Sequence, residues 1–540
     1  MGWTNILLAV ALGLLVHGLI GYDAFPAGDD FAYAPLAEHR ADPALFPRDE
    51  QLRLFENHAL VYEALYRLGT AGPGVEPVFR AAIWGQAALT AIALLAVLSA
   101  LGVPVAGLPV VLGLGVVVSA GGMGRGEFGG LVSPFFHHHN LALTLVIAAV
   151  AAGLRRSNGL AGGLLGLAAY AQPMTALHGA LAAGLGALAV RPSGAVRMAL
   201  AAAIVALPVA ILVLGEIIAA PAPTANLDLV QDAYRFRAPH HYDPDLRLVL
   251  IATLYLLTGW TGVGLLARGD PGAARVGAGV MAAFTILHLV TVIVYRGGIA
   301  EWVPLFILDA NRSTPLLFAL APAFAVAGLW RTPWRPASWT VGLLLPAILV
   351  LNGTAGGTAL VALSGVMVAL RETSWARPAV LIALGVILAL RFPPQAAPSA
   401  VPASTRTALD RIRTETPPDA LFVIPVAMQE FRHYAQRSAY VDFKLFSVAQ
   451  PDQAALTRAR IDEVVRPDPA HRAAAGWKGM ALWEEDQRRA ATCEGMAEIL
   501  RVAGADYYLR RIAPGETPPD CPALPVTIRT ETLALYGPPG

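Results

Sequence analysis

The feature that most constrains this chain is a succession of apolar runs, each bounded by polar residues, that fills most of positions 1–391. A helix crosses the hydrocarbon core of a bilayer with about twenty apolar residues, fewer where neighbours shield it. Against that length about thirteen segments qualify: 4–21, 78–100, 103–120, 139–154, 159–172, 174–190, 197–218, 248–267, 274–294, 303–330, 338–351, 356–370 and 378–391. The pair divided at Gln172-Pro173 reads equally as one broken helix. Composition agrees, because 56% of the 540 residues are hydrophobic and 14% charged, whereas soluble domains carry about a quarter charged residues. A formal net charge of +1 gives no broad basic field, so a nucleic-acid partner is not expected.

The first run, Ile6 to Ile20, lacks a basic leading region and a small-residue cleavage site, and is read as a retained span rather than a signal peptide. Arginines set the orientation. Arg155-Arg156, Arg191 with Arg197, Arg268 with Arg275, Arg331 with Arg335 and Arg371 with Arg377 fall in alternate loops, and cytoplasmic loops are enriched in Lys and Arg. The N-terminus is therefore expected in the cytoplasm. The loop 22–77, the stretch 121–138, the loop 219–247, the turn 295–302 and the tail after Arg391 are expected outside.

The expected fold is thus a polytopic α-helical membrane protein with a small C-terminal α/β domain on the outer side. A transmembrane domain covers 1–391, a Pro/Ala-rich linker 392–403 and the soluble domain 404–540. Strands are expected at Ala420–Ile424, after the turn Thr416-Pro-Pro-Asp419, and at Ser438–Asp442, with helices over Ala454–Val465 and Glu484–Val502. Cys493 and Cys521, the two cysteines, both lie in this domain and can pair if it faces an oxidising compartment.

Four polar clusters interrupt the apolar pattern. The first outer loop opens with Gly28-Asp-Asp-Phe-Ala-Tyr33. Asp29 and Asp30 are either a solvated turn or, facing a cavity, a general base or the ligands of a divalent cation, Mg or Mn. The same loop continues through Asp42-Pro and Pro47-Arg-Asp49 to an amphipathic helix over Ala59–Leu68. The second cluster, Ser133-Pro-Phe-Phe-His-His-His-Asn140, enters a span. Consecutive helical residues point roughly 100° apart, so three successive imidazoles cannot all ligate one ion, and a pocket in which His138 or His139 bonds a phosphate or hydroxyl fits them better.

The third cluster, Tyr234-Arg-Phe-Arg-Ala-Pro-His-His-Tyr-Asp243, suits an anionic, hydroxyl-rich ligand held by Arg237, His240, His241 and Tyr242; a juxtamembrane aromatic-basic belt is the other reading. The fourth is Asp309-Ala-Asn-Arg-Ser313, at the mouth of a span. An ionisable pair at that depth marks a functional site by default, with Arg312 facing a phosphate and Asp309 as its counter-ion, although a structural ion pair remains open. Gln172-Pro-Met-Thr-Ala-Leu-His178 is explained as well by a satisfied helix break. All these clusters fall on the side that the arginines mark as outer.

A first span followed by a long outer loop with an early Asp-Asp, many further spans and an outer C-terminal domain resembles the GT-C superfamily of membrane glycosyltransferases. More closely, Asp30-Phe-Ala-Tyr33 with Asp42-Pro, Phe236-Arg-Ala-Pro-His-His-Tyr242, Thr416-Pro-Pro-Asp-Ala-Leu-Phe422 and Tyr440-Val-Asp-Phe-Lys444 resemble a group of bacterial multi-span membrane proteins classed as a domain of unknown function. The resemblance implies sugar transfer from a polyprenyl-phosphate donor at the outer face of the bacterial inner membrane. It assigns the base or acceptor-positioning role to Asp30 and then Asp29, and the donor phosphate to Arg312 and the His240-His241 loop, with Tyr33 lining the site. A WWD-type acceptor motif is absent, which leaves the acceptor open. The competing classes are a transporter or flippase of a lipid-linked or anionic substrate, against which no inverted repeat is visible, and a non-catalytic membrane scaffold.

Overall fold

The computed structural model describes residues 2–20, 25–54, 60–108, 111–112, 114, 133, 136–219, 227–237, 242, 244, 246–296, 308–331, 401–445, 451–467, 476–513 and 515–538. The expected spans 338–351, 356–370 and 378–391 and half of 103–120 lie outside these residues, as do His240 and His241.

The chain is a polytopic helical membrane protein. Among the described residues six helices are long and apolar enough to cross a bilayer: Val75–Ala100, Pro173–Val190, Pro192–Gly215, Leu246–Leu266, Pro271–Tyr295 and Ala310–Arg331, with shorter apolar helices over Trp3–Gly18 and His138–Leu154. The segment expected over 303–330 begins its helix at Ala310 with a tight turn, so the Asp309–Arg312 cluster stands at the mouth of the span.

Gln172 is extended and its side chain accepts from the Thr175 amide at 2.8 Å, while Pro173 occupies a first-turn position that needs no donor. The chain reverses direction at this point instead of kinking. The helix Pro173–Val190 runs parallel to His138–Leu154, pairing Thr175 with His139 and Gly179 with Val146. The helix Asn158–Ala171 runs parallel to Pro192–Ala219, with Gly162 against Met198 and Gly166 against Val205. The broken-helix alternative at Gln172-Pro173 is therefore excluded, and the two segments are separate.

Small residues let backbones approach where a hydrophobic driving force between helices is missing. At Gly262 a Cβ would stand 2.5 Å from the backbone of Phe324 and Ala325, so Leu246–Leu266 lies directly on Ala310–Arg331. The latter is the central helix, 83% buried, whereas Pro192–Gly215 is peripheral at 11%. At one end of the bundle Arg155 donates to the Ser99 hydroxyl and Arg331 pairs with Asp270 at 3.0 Å. That end gathers arginine-bearing turns, as their alternation along the sequence requires.

The first loop contributes helices over Asp30–Ala41, Glu50–Leu54 and Leu60–Ala71 at the opposite end. Over it sits the C-terminal α/β region. A five-stranded sheet in the order β2-β1-β3-β5-β4 is built from β1 (Leu421–Val423), β2 (Ser438–Ala439), β3 (Tyr507–Arg511), β4 (Val526–Arg529) and β5 (Leu533–Tyr536). β1 is parallel to β2 and β3, and β5 is antiparallel to β3 and β4. The second expected strand is thus shorter than Ser438–Asp442, since the chain turns away after Ala439. The single helix expected over Glu484–Val502 is two, Gly476–Ala490 and Cys493–Ala503, because the Thr492 hydroxyl caps a new start by accepting from the Gly495 amide at 3.1 Å. Cys493 and Cys521 form a disulfide.

Candidate active site

Gly28 takes φ +56°, a left-handed turn that glycine adopts without cost. The turn sends the two following carboxylates in different directions. Asp30 folds back on its own backbone, where Oδ2 accepts from the Ala27 amide at 2.9 Å, and it is buried beside the Tyr62 phenol. Burial pushes its carboxyl up to about 8, so Asp30 is protonated at neutral pH. Asp29 faces outward from the turn. Its Oδ1 meets the Lys444 ammonium at 2.5 Å and its Oδ2 the His137 Nε2 at 2.8 Å. Burial would raise its pKa, but the Lys444 charge and the His137 contact outweigh that and hold the carboxyl well below the usual range. One adjacent pair therefore holds an ionised and a neutral carboxyl.

The histidines divide by role. His137, the residue before the helix His138–Leu154, bonds Asp29; His138 stacks on His137 with ring centroids 5.2 Å apart and meets Tyr33 edge-on at 4.9 Å. His139 points into the bundle instead, where it shares a 2.7 Å hydrogen bond with the Thr175 hydroxyl. His178 donates Nε2–H to the Leu308 carbonyl at 2.9 Å, a satisfied buried contact beside the site.

Two arginines complete the electrostatics. Arg312 donates Nε–H to Asp309 Oδ2 at 2.7 Å, so Asp309 is the expected counter-ion. Asp309 itself adopts a left-handed backbone, φ +45°, unusual for a residue other than glycine and a form of local strain that clusters at functional positions. Arg312 lies within electrostatic range of Tyr33 and Tyr242, and Tyr242 stacks on Tyr234 at 5.5 Å. Arg237 closes the helix Leu227–Arg237, places its guanidinium 5.6 Å from the Phe443 ring centroid and lies within electrostatic range of Asp29, Tyr33 and Arg312. Burial lowers its pKa. Among the described residues Arg237 has no ion-pair partner, which leaves its donor fork available to an anion.

The structure thus brings Asp29, Tyr33, His138, Arg237, Tyr242, Asp309 and Arg312 to one end of the bundle, and turns Asp30 and His139 away. Sequence reasoning missed His137 and Lys444 as site residues. His137 stood in the His-His-His run, but nothing in a run of identical residues says which one faces the loop. Lys444 carried a compositional signal: it is one of two lysines, with Lys478, in a chain holding 39 lysines and arginines.

A divalent cation on Asp29 and Asp30 does not fit this donor set. The Lys444 ammonium and the His137 ring contact the two oxygens of Asp29, and Asp30 is buried, protonated and bonded to backbone. Among the described residues no three His, Cys, Asp or Glu side chains gather in a metal-binding group.

The turn that delivers Lys444 is fixed across the domain junction. Arg432, 1% exposed, pairs with Asp49 of the first loop at 2.6 Å and with Asp442. Asp442 Oδ1 accepts from the Lys444 and Leu445 amides at 2.7 and 3.0 Å, and the Gln51 side chain bonds the Asp442 amide and the carbonyls of Asp442 and Leu445. A second clamp joins Arg458 to Asp232 at 3.1 Å, with the Arg458 guanidinium over Phe236 at 4.2 Å.

Residues 403–464, which carry Arg432, Asp442 and Lys444, match a family described as a domain of unknown function, DUF6798. No curated protein sequence matches the chain. Among solved structures the chain is similar to AftD, an arabinofuranosyltransferase from mycobacteria, with a TM-score of 0.48 and 14% identity over 100% of this chain. The match covers 40% of AftD, so the chain spans two fifths of that protein's length. It is also similar to ArnT from Cupriavidus metallidurans, determined bound to undecaprenyl phosphate, with a TM-score of 0.46 and 14% identity over 99% of this chain and 98% of ArnT.

Proposed function

We propose that this chain is a membrane glycosyltransferase that moves a sugar from a polyprenyl-phosphate-linked donor to an acceptor hydroxyl at the outer face of the bacterial inner membrane. The observation that carries the reading is the juxtaposition, at one end of the bundle, of an ionised carboxylate, Asp29, with an arginine uncommitted among the described residues, Arg237. Asp29 takes the proton of the acceptor hydroxyl. The resulting oxygen attacks the anomeric carbon, the bond from that carbon to the phosphate oxygen breaks with inversion, and polyprenyl phosphate leaves with the electron pair. Arg237 and Arg312 stabilise the charge that develops on that phosphate. Tyr33 and His138, edge to face, line the approach to the base.

The orientation belongs to the same proposal: N-terminus cytoplasmic, C-terminal region outside. The alternating arginines support it, and so does the Cys493–Cys521 disulfide, since such bonds persist in oxidising compartments.

Transfer of labelled sugar from a synthetic polyprenyl-phosphate donor, assayed in membranes holding the full chain, tests the reading. Asp29→Asn, which keeps shape and removes the base, is expected to lower kcat by about 10²–10⁴-fold. Arg237→Ala is expected to weaken donor binding. Unaltered turnover in Asp29→Asn, or movement of the intact lipid across the bilayer without transfer, would overturn it.

A further inference from the structure

We propose that the C-terminal domain is an integral part of the active site, and that Lys444 is a positioning residue which the Asp49–Arg432–Asp442–Gln51 network holds against Asp29. The inference rests on Asp29 being the working carboxylate of the proposed transfer. Its grounds are geometric.

Lys444 and Asp29 are 415 positions apart in the chain, and a lysine side chain on a mobile loop gains little from a single solvated ion pair. Here the backbone that carries it is immobilised. Asp442 spends one oxygen on the Lys444 and Leu445 amides and the other on Arg432, which is itself forked onto Asp49. Gln51 bonds the same turn from the first-loop side. Leu445 is buried among first-loop apolar residues that include Leu36, Phe46 and Leu52. Asp49, Arg432 and Asp442 are each no more than 1% exposed. Removing one member of a buried ionic cluster leaves the others uncompensated, so the three act as a unit.

The turn has a double yield. Lys444 reaches Asp29, while its neighbour Phe443 lies beneath the Arg237 guanidinium. A single short segment therefore orients both the carboxylate that takes the proton and the arginine assigned to the donor phosphate. Without Lys444, Asp29 would keep His137 as its fixed partner and would be free to swing toward the Arg237 guanidinium, which lies within electrostatic range. A carboxylate displaced by about 1 Å from its working position costs up to roughly 100-fold in rate.

Zero-length carbodiimide coupling tests the placement in the full chain in native membranes without reference to catalysis. An amide between the Lys444 ε-amine and the Asp29 carboxyl, formed with loss of water to the reagent, is expected in the wild type. With two lysines in the chain, mass spectrometry assigns the linked peptide directly. The link is expected to be lost in Arg432→Met; should that variant misfold, as broken Cys493–Cys521 connectivity would show, Gln51→Ala takes its place with the same readout. In the transfer assay Lys444→Met is expected to lower kcat by about ten- to 100-fold with little change in donor KM, and Lys444→Arg to restore most of it. No Lys444–Asp29 link in the wild type overturns the placement. Unchanged kcat in Lys444→Met, while Asp29→Asn is inactive, overturns the positioning role alone.

Discussion

Asp29 and Asp30 are adjacent in sequence and opposite in chemistry. The difference arises from a single left-handed glycine and from which neighbours each carboxyl meets, neither of which composition or spacing reveals. The resemblance placed Asp30 first, but burial and a backbone amide make it a neutral structural group, while Asp29 meets the charged partners. The proton on Asp30 has a thermodynamic signature. In the unfolded chain the group ionises near 3.8 and in the folded protein near 8, so between those values the native state holds a proton that the unfolded state has released. Stability is then lost as pH rises through that window. Asp30→Asn removes the titration, and its Oδ1 can still accept from the Ala27 amide. The expected result is that unfolding curves of wild type and Asp30→Asn converge near pH 4 and separate toward pH 8. The variant should be the more stable there, by a gap on the order of a few kcal/mol; parallel curves would contradict the assignment.

Helices were the most legible elements. Spans expected at 78–100, 139–154, 174–190 and 248–267 agree with helices at Val75–Ala100, His138–Leu154, Pro173–Val190 and Leu246–Leu266, because twenty apolar residues with no exposed backbone alternative in lipid admit one conformation. Partners were not legible. Nothing in the spacing of Gly262 announces that Phe324 and Ala325 press on it from a helix about sixty positions away. That contact yields a prediction at this scale: Gly262→Leu forces apart two parallel helices whose backbones touch. It should cost about 1–3 kcal/mol or more, read as a lower midpoint of thermal unfolding in detergent, whereas Gly264→Leu, with nothing near its Cβ, should leave the midpoint unchanged. In the soluble region the strand after Thr416-Pro-Pro-Asp419 was readable from its flanking turn. The break at Thr492 was hidden, since a cap hydroxyl in a polar helix resembles any other exposed threonine.

For the whole molecule, the convergence of distant clusters was partly readable. The alternation of arginines put the Asp29, His138, Arg237 and Arg312 segments on one side, and they meet there. Their junction with the C-terminal domain was not readable, because Asp49, Arg432 and Asp442 each look like solvated surface charges until the fold buries them together. The central helix adds a constraint of a different kind. Ala310–Arg331 has 22 residues, which at 1.5 Å per residue makes a strut of roughly 33 Å, close to the ~30 Å of a hydrocarbon core. Arg312 stands near one tip and Arg331, tied to Asp270, at the other. An arginine near each end matches the rod to the bilayer, so on the proposed reading the lipid, acting through the helices packed around this central one, bears on the height at which Arg312 would meet a donor phosphate. In vesicles of short-chain or long-chain lipids the transfer rate should pass through a maximum where membrane thickness matches the rod. A rate indifferent to thickness would show that the neighbouring helices, not the bilayer, fix that height. On the proposed reading the membrane would act as a measuring device, bringing a lipid headgroup and an arginine to the same level before either has touched the other.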